Sequence, residues 1–421
     1  MPQTILKEIT LRQLIDLDLL KKIPMMKIYC LISVMLIMSV TISSKATANE
    51  IAQLNPIDSL TIPSKHFNTD IKFNVTLPES YQRDTDKRYV VIVDFHPRSQ
   101  PFLSGAHDWM SHNGSKPWPE SIVITPYGAA SPTGNETQEK LLIDTIKSEQ
   151  GKVTLLDFIE TELLPSIDKR YRTNSFHIMS GFWNNASLSL YTLINRPNLF
   201  NAYIAASPNF SGDHANILSQ LKQKLKKLND KPRSLFLSIG SSRFEQPQLA
   251  AFDKLANILK DAAPKELELK IKHFDEVGYM SQPIIATVNG IENIFSDLNN
   301  DLEADSSISL QGPQAILDHY QYLSSKKYGF KVSAERSLRN LAYSLLDEKP
   351  QKALAIFHTV AKTYPDSAYA FHTLAQAYAN QGQYQEAVNY QKQAVIKAKN
   401  MYQWHINKQL EEYQLALSKK E

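Results

Sequence analysis

The sequence predicts an α/β domain with a mostly parallel sheet, followed by an all-α domain of helical repeats. Six short apolar runs between residues 89 and 274 alternate with helix-like segments, which is typical of parallel strands buried on both faces. After a polar, acidic stretch at 299–312, the chain shows only helical periodicity and contains a repeated unit. A length of 421 residues also favours two domains over one.

Helix-like runs separate several of the predicted strands in the first domain. The predicted strands occupy residues 89–95, 121–127, 176–181, 201–208, 234–240 and 268–274. The predicted helices between them occupy residues 154–171, 187–196 and 248–262. We therefore assign residues 50–298 to the α/β domain and residues 299–312 to a linker.

Composition excludes several classes of protein. The chain is 43% hydrophobic and 21% charged, enough to bury a core. A net charge of +3 without a basic run argues against nucleic-acid binding. A single cysteine, Cys30, leaves no disulfide framework or cysteine metal site. We expect no cofactor and no metal.

Residues 25–48 have the pattern of a signal peptide. Lys27 precedes an apolar run at 28–42, and Ala46–Ala48 supplies a small-x-small cleavage pattern. The run is short for a membrane span, although an uncleaved anchor is the alternative. We expect export to a bacterial periplasm or secretion, with no stable membrane insertion after cleavage.

Two adjacent methionines, Met25 and Met26, stand at the start of this signal. Each is a suitable start site. Residues 1–24 are an upstream extension if translation starts at Met25 or Met26, and a start at Met1 is the alternative.

Residues 313–421 match the large-and-small pattern of tetratricopeptide repeats. One 34-residue unit begins at Ala368, and a second precedes it. The predicted packing positions are Ala353, Phe357, Pro365, Phe371, Leu374, Ala375, Tyr378, Gly382, Ala387 and Ala394. Small alanines let paired helices approach closely. Helices near 313–325 and 402–417 are expected to flank the units, and a plain helical hairpin is the alternative. Such a tail implies a protein or peptide partner.

The stretch SGFWNNAS at 180–187 lies where a predicted strand gives way to a helix. In α/β-hydrolases this junction carries G-x-S-x-G, and its strained turn presents the serine nucleophile. Residues 157–210 also contain the runs ELLPSIDKRYRT and SPNF. The chain therefore resembles the esterase family of α/β-hydrolases, whose relatives include enterochelin esterases and S-formylglutathione hydrolases. The resemblance covers roughly residues 55–400.

The resemblance implies a role for each position of the turn. Gly181 and Asn185 take the two glycine positions, Phe182 and Asn184 flank the nucleophile position, and Trp183 occupies that position. An indole cannot act as an acyl nucleophile. Without a serine to present, we expect the turn to relax, helped by Asn184 or Asn185.

The resemblance also places the other two members of the triad. Anchoring on Ser281 and Pro283 puts Tyr279 at the histidine position, and a tyrosine has too high a pKa to be a base at neutral pH. Glu245 falls at the acid position, where we expect a solvated loop carboxylate. His273 is the nearby imidazole, and its period-two spacing assigns it to a strand face.

Asp94, Phe95 and His96 lie at the end of a predicted strand, on the expected oxyanion side. His107 and His112 lie five residues apart, a spacing that is weak support for a metal site.

Two losses, at the nucleophile and the base, favour an exported pseudoenzyme that binds through its tail. The alternative is an active ester or thioester hydrolase of altered mechanism, which uses a water with Asp94, His96, His107 or Glu245. A third interpretation makes the α/β domain a rigid spacer for the repeats.

Overall fold

The computed structural model describes residues 57–96, 98–113, 116–127, 154–211, 216–228, 230–398 and 403–419. The predicted signal peptide, the upstream segment 1–24 and Cys30 lie outside these residues. From Ile57 onward the chain forms one compact unit. No helix in the described ranges is both long and apolar enough to cross a bilayer.

The centre of the structure is a mixed sheet, eight strands wide in the described residues. Its strands are β1 (Ile57–Ser64), β2 (Thr69–Thr76), β3 (Tyr89–Asp94), β4 (Ser121–Pro126), β5 (Thr173–Phe182), β6 (Ala202–Ala206), β7 (Arg233–Ile239) and β8 (Leu267–His273). Their order is β1-β2-β4-β3-β5-β6-β7-β8, antiparallel at β1-β2 and β2-β4 and parallel elsewhere. The predicted mostly parallel sheet is confirmed.

Helices cover both faces of this sheet. They are α1 (Ser99–His112), α2 (Thr154–Phe158, continued by a π turn at Ile159–Leu163 and by Leu164–Arg170), α3 (Asn184–Asn195), α4 (Ile217–Leu225), α5 (Leu249–Ala262), α6 (Gln282–Ile294) and the short α7 (Ser296–Asn299). Helices α2 to α5 pack on one face, and α1 and α6 pack on the other. The central strands are buried along most of their length because both faces are covered.

The tail is all-helical, as predicted. It contains α8 (Pro313–Tyr322, continued by a π turn at Leu323–Tyr328), α9 (Glu335–Ser344), α10 (Pro350–Thr363), α11 (Ala368–Asn380), α12 (Tyr384–Lys397) and α13 (Gln403–Ser418). Helices α9–α10 and α11–α12 correspond to the two repeat units. The buried packing positions are Ala353, Phe357, Phe371, Leu374, Ala375, Ala387 and Ala394.

The remaining repeat positions have other roles. The half-buried Tyr378 ring stacks on Tyr390, with centroids 5.4 Å apart. Gly382 has φ 69° in the turn between α11 and α12, a conformation that favours glycine. Pro365 is exposed in the turn between α10 and α11.

The tail and the sheet share one apolar core. The Tyr328 ring lies 5.5 Å from Phe176 of β5 and 5.7 Å from Phe295, centroid to centroid. The predicted linker at 299–312 thus connects two parts that bury the same aromatic cluster. Removal of the tail would expose that face of the sheet.

Candidate functional site

The candidate site lies at the carboxyl ends of the parallel strands, the usual position of ligand sites in such sheets. Trp183 directly follows β5, Glu245 lies in the loop after β7, and Tyr279 lies after β8. Residues far apart in sequence therefore meet at one edge of the sheet.

The strained turn between β5 and α3 is retained. Trp183 has φ 56° and ψ −114°, a backbone conformation that costs a bulky residue ~1–3 kcal/mol. Its N–H donates to the Ala206 carbonyl (3.1 Å), and its own carbonyl accepts from the Ser187 N–H (3.1 Å). The expected relaxation is wrong because neighbouring elements hold this turn from both sides.

Close packing of β5 on α3 also helps to keep the turn in this conformation. A Cβ at Gly181 would lie 2.3 Å from the Asn185 carbonyl oxygen, so only glycine fits there. Asn184 and Asn185 form the first turn of α3 and do not take the positive φ. The Asn184 side chain accepts instead from the Asn209 amide (2.9 Å).

Tyr279 lies within a cluster of aromatic rings. Its centroid is 5.0 Å from Phe182, 5.7 Å from Trp183 and 5.0 Å from Phe244. Burial, together with the nearby Glu245 carboxylate, raises the pKa of Tyr279 to about 12. The phenol is neutral at pH 7 and cannot serve as a base.

Glu245 is fully buried, which corrects the expected solvated loop carboxylate. It accepts hydrogen bonds from the Ser207 hydroxyl and from the Gly240 N–H (2.9 Å). The Ser242 N–H (3.2 Å) and hydroxyl (2.7 Å) also donate to it. The carboxylate at the acid position is thus satisfied by its own surroundings, without an imidazole.

Sequence reasoning missed four residues of this site: Ser207, Gly240, Phe244 and Gln282. Ser207 has φ 46° and directs its hydroxyl to Glu245. A Cβ at Gly240 would lie 2.1 Å from the Gln282 amide nitrogen and 2.6 Å from a Glu245 carboxylate oxygen, so a larger residue would displace these two side chains. Phe244 directly precedes Glu245 in the sequence and could have been found from that position. Ser207 and Gln282 are distant in sequence and come to the site only when the chain folds.

The oxyanion-side residues form a local network at the end of β3. Asp94 is buried and accepts from the His96 N–H (2.8 Å). Burial raises the pKa of Asp94. Phe95 packs in the core, and His96 is half-buried, with Nδ1 accepting from the Arg98 N–H (3.2 Å).

His107 is remote from this site. Its Nε2 accepts from the N–H of Ser121, the first residue of β4, which puts it at the amino edge of the sheet (2.8 Å). Burial and the nearby His112 lower the pKa of His107 to about 4. His112 contacts Glu120 (3.2 Å), and the described residues contain no group of three metal-ligating side chains.

His273 ends β8 and is exposed, with its ring 5.3 Å from Phe252. It lies on the strand, as its spacing indicates. The site at the carboxyl edge therefore contains an indole, a phenol and a buried carboxylate.

The comparisons with known proteins agree with the two-part organisation. Residues 64–262 match the family described as "Putative esterase", and residues 344–402 match a tetratricopeptide repeat family. No curated protein matches the chain.

Solved structures with this fold include an IroE-like serine hydrolase from Shewanella oneidensis, 21% identical, with a TM-score of 0.54 over 73% of this chain and 100% of that one. A protein from Capnocytophaga ochracea is 14% identical, with a TM-score of 0.59 over 86% of this chain and 100% of that one. At these identities the likeness shows the fold alone.

Proposed function

Since the α/β domain belongs to the putative-esterase family and the tail consists of tetratricopeptide repeats, we propose that this chain is an exported pseudoenzyme that binds rather than hydrolyses. The observation that carries the proposal is Trp183 in the strained backbone of the turn. An indole there offers only an N–H donor. Its ring also occupies space beside the position of the base.

The base position supports the same conclusion. Tyr279 is a neutral phenol packed against three rings, and among the described ring contacts no imidazole touches Tyr279 or Trp183. The triad mechanism needs both a nucleophile and a base that removes its proton. Glu245 remains as a buried acid with no histidine to orient.

The alternative, a hydrolase that activates water, finds less support. Glu245 already accepts from Ser207, Gly240 and Ser242, and His107 lies at the opposite edge of the sheet. His96, half-buried beside Asp94, is the remaining candidate base.

Hydrolysis of short-chain p-nitrophenyl esters and of thioesters tests the proposal. The wild-type protein is expected to release product at the buffer rate. Turnover that is present in the wild type and lost in His96→Ala or Asp94→Asn would establish the alternative mechanism. His273→Ala is the matched control, because that imidazole is exposed on β8.

We assign partner binding to the first helices of the repeats. Tyr343 of α9 is 41% exposed and donates to the Gln376 side chain of α11 (2.7 Å), so the two units share one accessible surface. Concave surfaces of such repeats bind proteins and peptides. The partner is expected to be a protein or peptide, and any small-molecule ligand of the α/β domain is unidentified.

Surface variants test this assignment better than deletion, because the tail shares its core with the sheet. Capture of a partner from the exported fraction should be lost in Tyr343→Ala/Gln376→Ala. Thr359→Ala, on the exposed side of α10, should retain it. Equal capture by both variants would instead place binding elsewhere and leave the α/β domain as the candidate.

Export follows from the signal pattern at 25–48, outside the described residues. The mature protein is expected to begin at Asn49. Mass spectrometry of the exported protein tests this, and an N-terminus at or before Met26 would show that the segment is an uncleaved anchor.

A further inference from the structure

A separate cavity of about 820 Å³ lies at the amino edge of the sheet. Its walls include Arg88 before β3, Thr173 at the start of β5 and Lys116 before β4, with Lys331 contributed by the tail. The volume is within the range of small-molecule sites. This cavity is at the opposite edge from Trp183 and does not depend on the function proposed for that site.

The lining carries more unpaired positive than negative charge. Lys87 pairs with Glu120, so those two charges offset each other. Among the described residues, Lys116 and Lys331 have no carboxylate partner, and the Lys331 ammonium lies 6.0 Å from the Tyr364 ring. Three cationic residues, Arg88, Lys116 and Lys331, therefore line this cavity together with one remaining acidic residue, Asp86.

Hydrogen-bond donors are also in surplus. Arg88 uses one N–H on the Thr173 carbonyl (3.0 Å) and has further donors in its guanidinium. Trp118, only 1% exposed, lines the same cavity and has an indole N–H with no acceptor. Such an unsatisfied buried donor is rare in native proteins. That nitrogen itself has almost no accessible surface, so a ligand meets the exposed donors of Arg88, Lys116 and Lys331 instead.

We propose that this cavity binds a small ligand carrying several phosphate or carboxylate groups. Oxyanions provide only acceptors, and they form charge-assisted hydrogen bonds with lysine and arginine. Because Lys331 belongs to the tail while Arg88 and Lys116 belong to the α/β domain, the bound ligand joins the two parts. Binding therefore stabilises the folded protein.

Calorimetric titration with pyrophosphate and with citrate tests the proposal on the full chain. Saturable binding of at least one of them is expected, with a raised Tm in parallel. Tighter pyrophosphate binding assigns a phosphate ligand, and tighter citrate binding assigns a carboxylate ligand. Absence of binding by both at millimolar concentration would overturn the proposal.

Paired variants locate the site. Lys116→Ala/Lys331→Ala should raise the Kd by at least about tenfold, since charge-assisted contacts are lost. Lys226→Ala/Lys227→Ala removes the same charge from an exposed turn after α4 and should leave the Kd unchanged. Equal affinity in the two lysine pairs would show nonspecific charge attraction and overturn the assignment.

Discussion

The Trp183 indole lies edge-on to the Tyr279 phenol, with centroids 5.7 Å apart and ring planes at 85°. We propose that these two residues occupy the positions that the family pattern gives to the nucleophile and the base. The substitutions therefore form one packed contact, worth about 0.5–1.5 kcal/mol beyond burial. In that proposal, an aromatic contact stands where a serine and a histidine would share a hydrogen bond.

The packing at Gly181 predicts a large effect of a single methyl group. Gly181→Ala places a Cβ 2.3 Å from the Asn185 carbonyl, so α3 must move away from β5. We expect a loss of about 2 kcal/mol or more in unfolding free energy, as for other overpacked sites. Urea denaturation measures it.

Gly105→Ala is the matched control for that change. Gly105 lies inside α1 with no atom within 4 Å of its added Cβ, so alanine should stabilise by up to about 1 kcal/mol. Equal effects of the two substitutions would show that strand and helix are not in close contact at Gly181.

Sequence spacing predicted the fold class, six of the strands and the position of Trp183 at the turn. It did not reveal β1 and β2, whose burial alternates along each strand, as expected for strands covered on one side only. The continuous apolar runs were therefore the more informative signal.

The chemistry around Glu245 could not be predicted from local sequence. Its burial depends on Ser207 after β6 and on Gly240 after β7, which meet only when the sheet forms. The retained strain at Trp183 has a similar origin, because the Ala206 carbonyl and the packing at Gly181 hold the turn.

Because His107 is buried, we expect the folded protein to become less stable on mild acidification. Its pKa is about 4 in the folded protein and 6.5 in the reference state, so the unfolded chain binds more protons between these values. The contribution of the neutral His107 ring to the unfolding free energy is complete above about pH 6.5 and is lost as the pH drops towards 4. The shift corresponds to roughly 3 kcal/mol for this fully buried ring.

Urea midpoints measured from pH 7 to pH 4 test the role of His107. His107→Gln keeps an acceptor for the Ser121 N–H and should flatten the slope over this range. His273→Gln, an exposed control, should retain the wild-type slope. An unchanged slope in His107→Gln would assign the acid sensitivity to other groups.

We expect the ion pairs of Lys327 to stabilise the contact between the tail and the sheet. Its ammonium is 6% exposed and binds Asp297 (2.5 Å) and Glu268 (2.7 Å). Lys327→Met leaves two carboxylates facing each other without a cation. We expect a loss of about 2 kcal/mol, less than for a fully buried pair because both carboxylates reach solvent.

Thermal unfolding measures this loss, and the exposed neighbour variant Lys326→Met is the control. The Lys326 variant should unfold as the wild type does. A Lys327 variant of wild-type stability would mean that the ion pairs do not contribute to the junction.

We propose that the chain keeps an esterase scaffold while its nucleophile and base are gone. Restoring both, in Trp183→Ser/Tyr279→His, should produce p-nitrophenyl ester turnover that Glu245→Gln then reduces. Trp183→Ser alone should be slower by about 10²-fold or more, since a general base contributes at least that much.

Steady-state ester hydrolysis by the wild-type protein and this double variant, measured side by side, is the most direct test. The predicted result is a wild-type rate equal to buffer and a clear gain in the double variant. Ester turnover by the wild type that exceeds that of a folded double variant would contradict the claim.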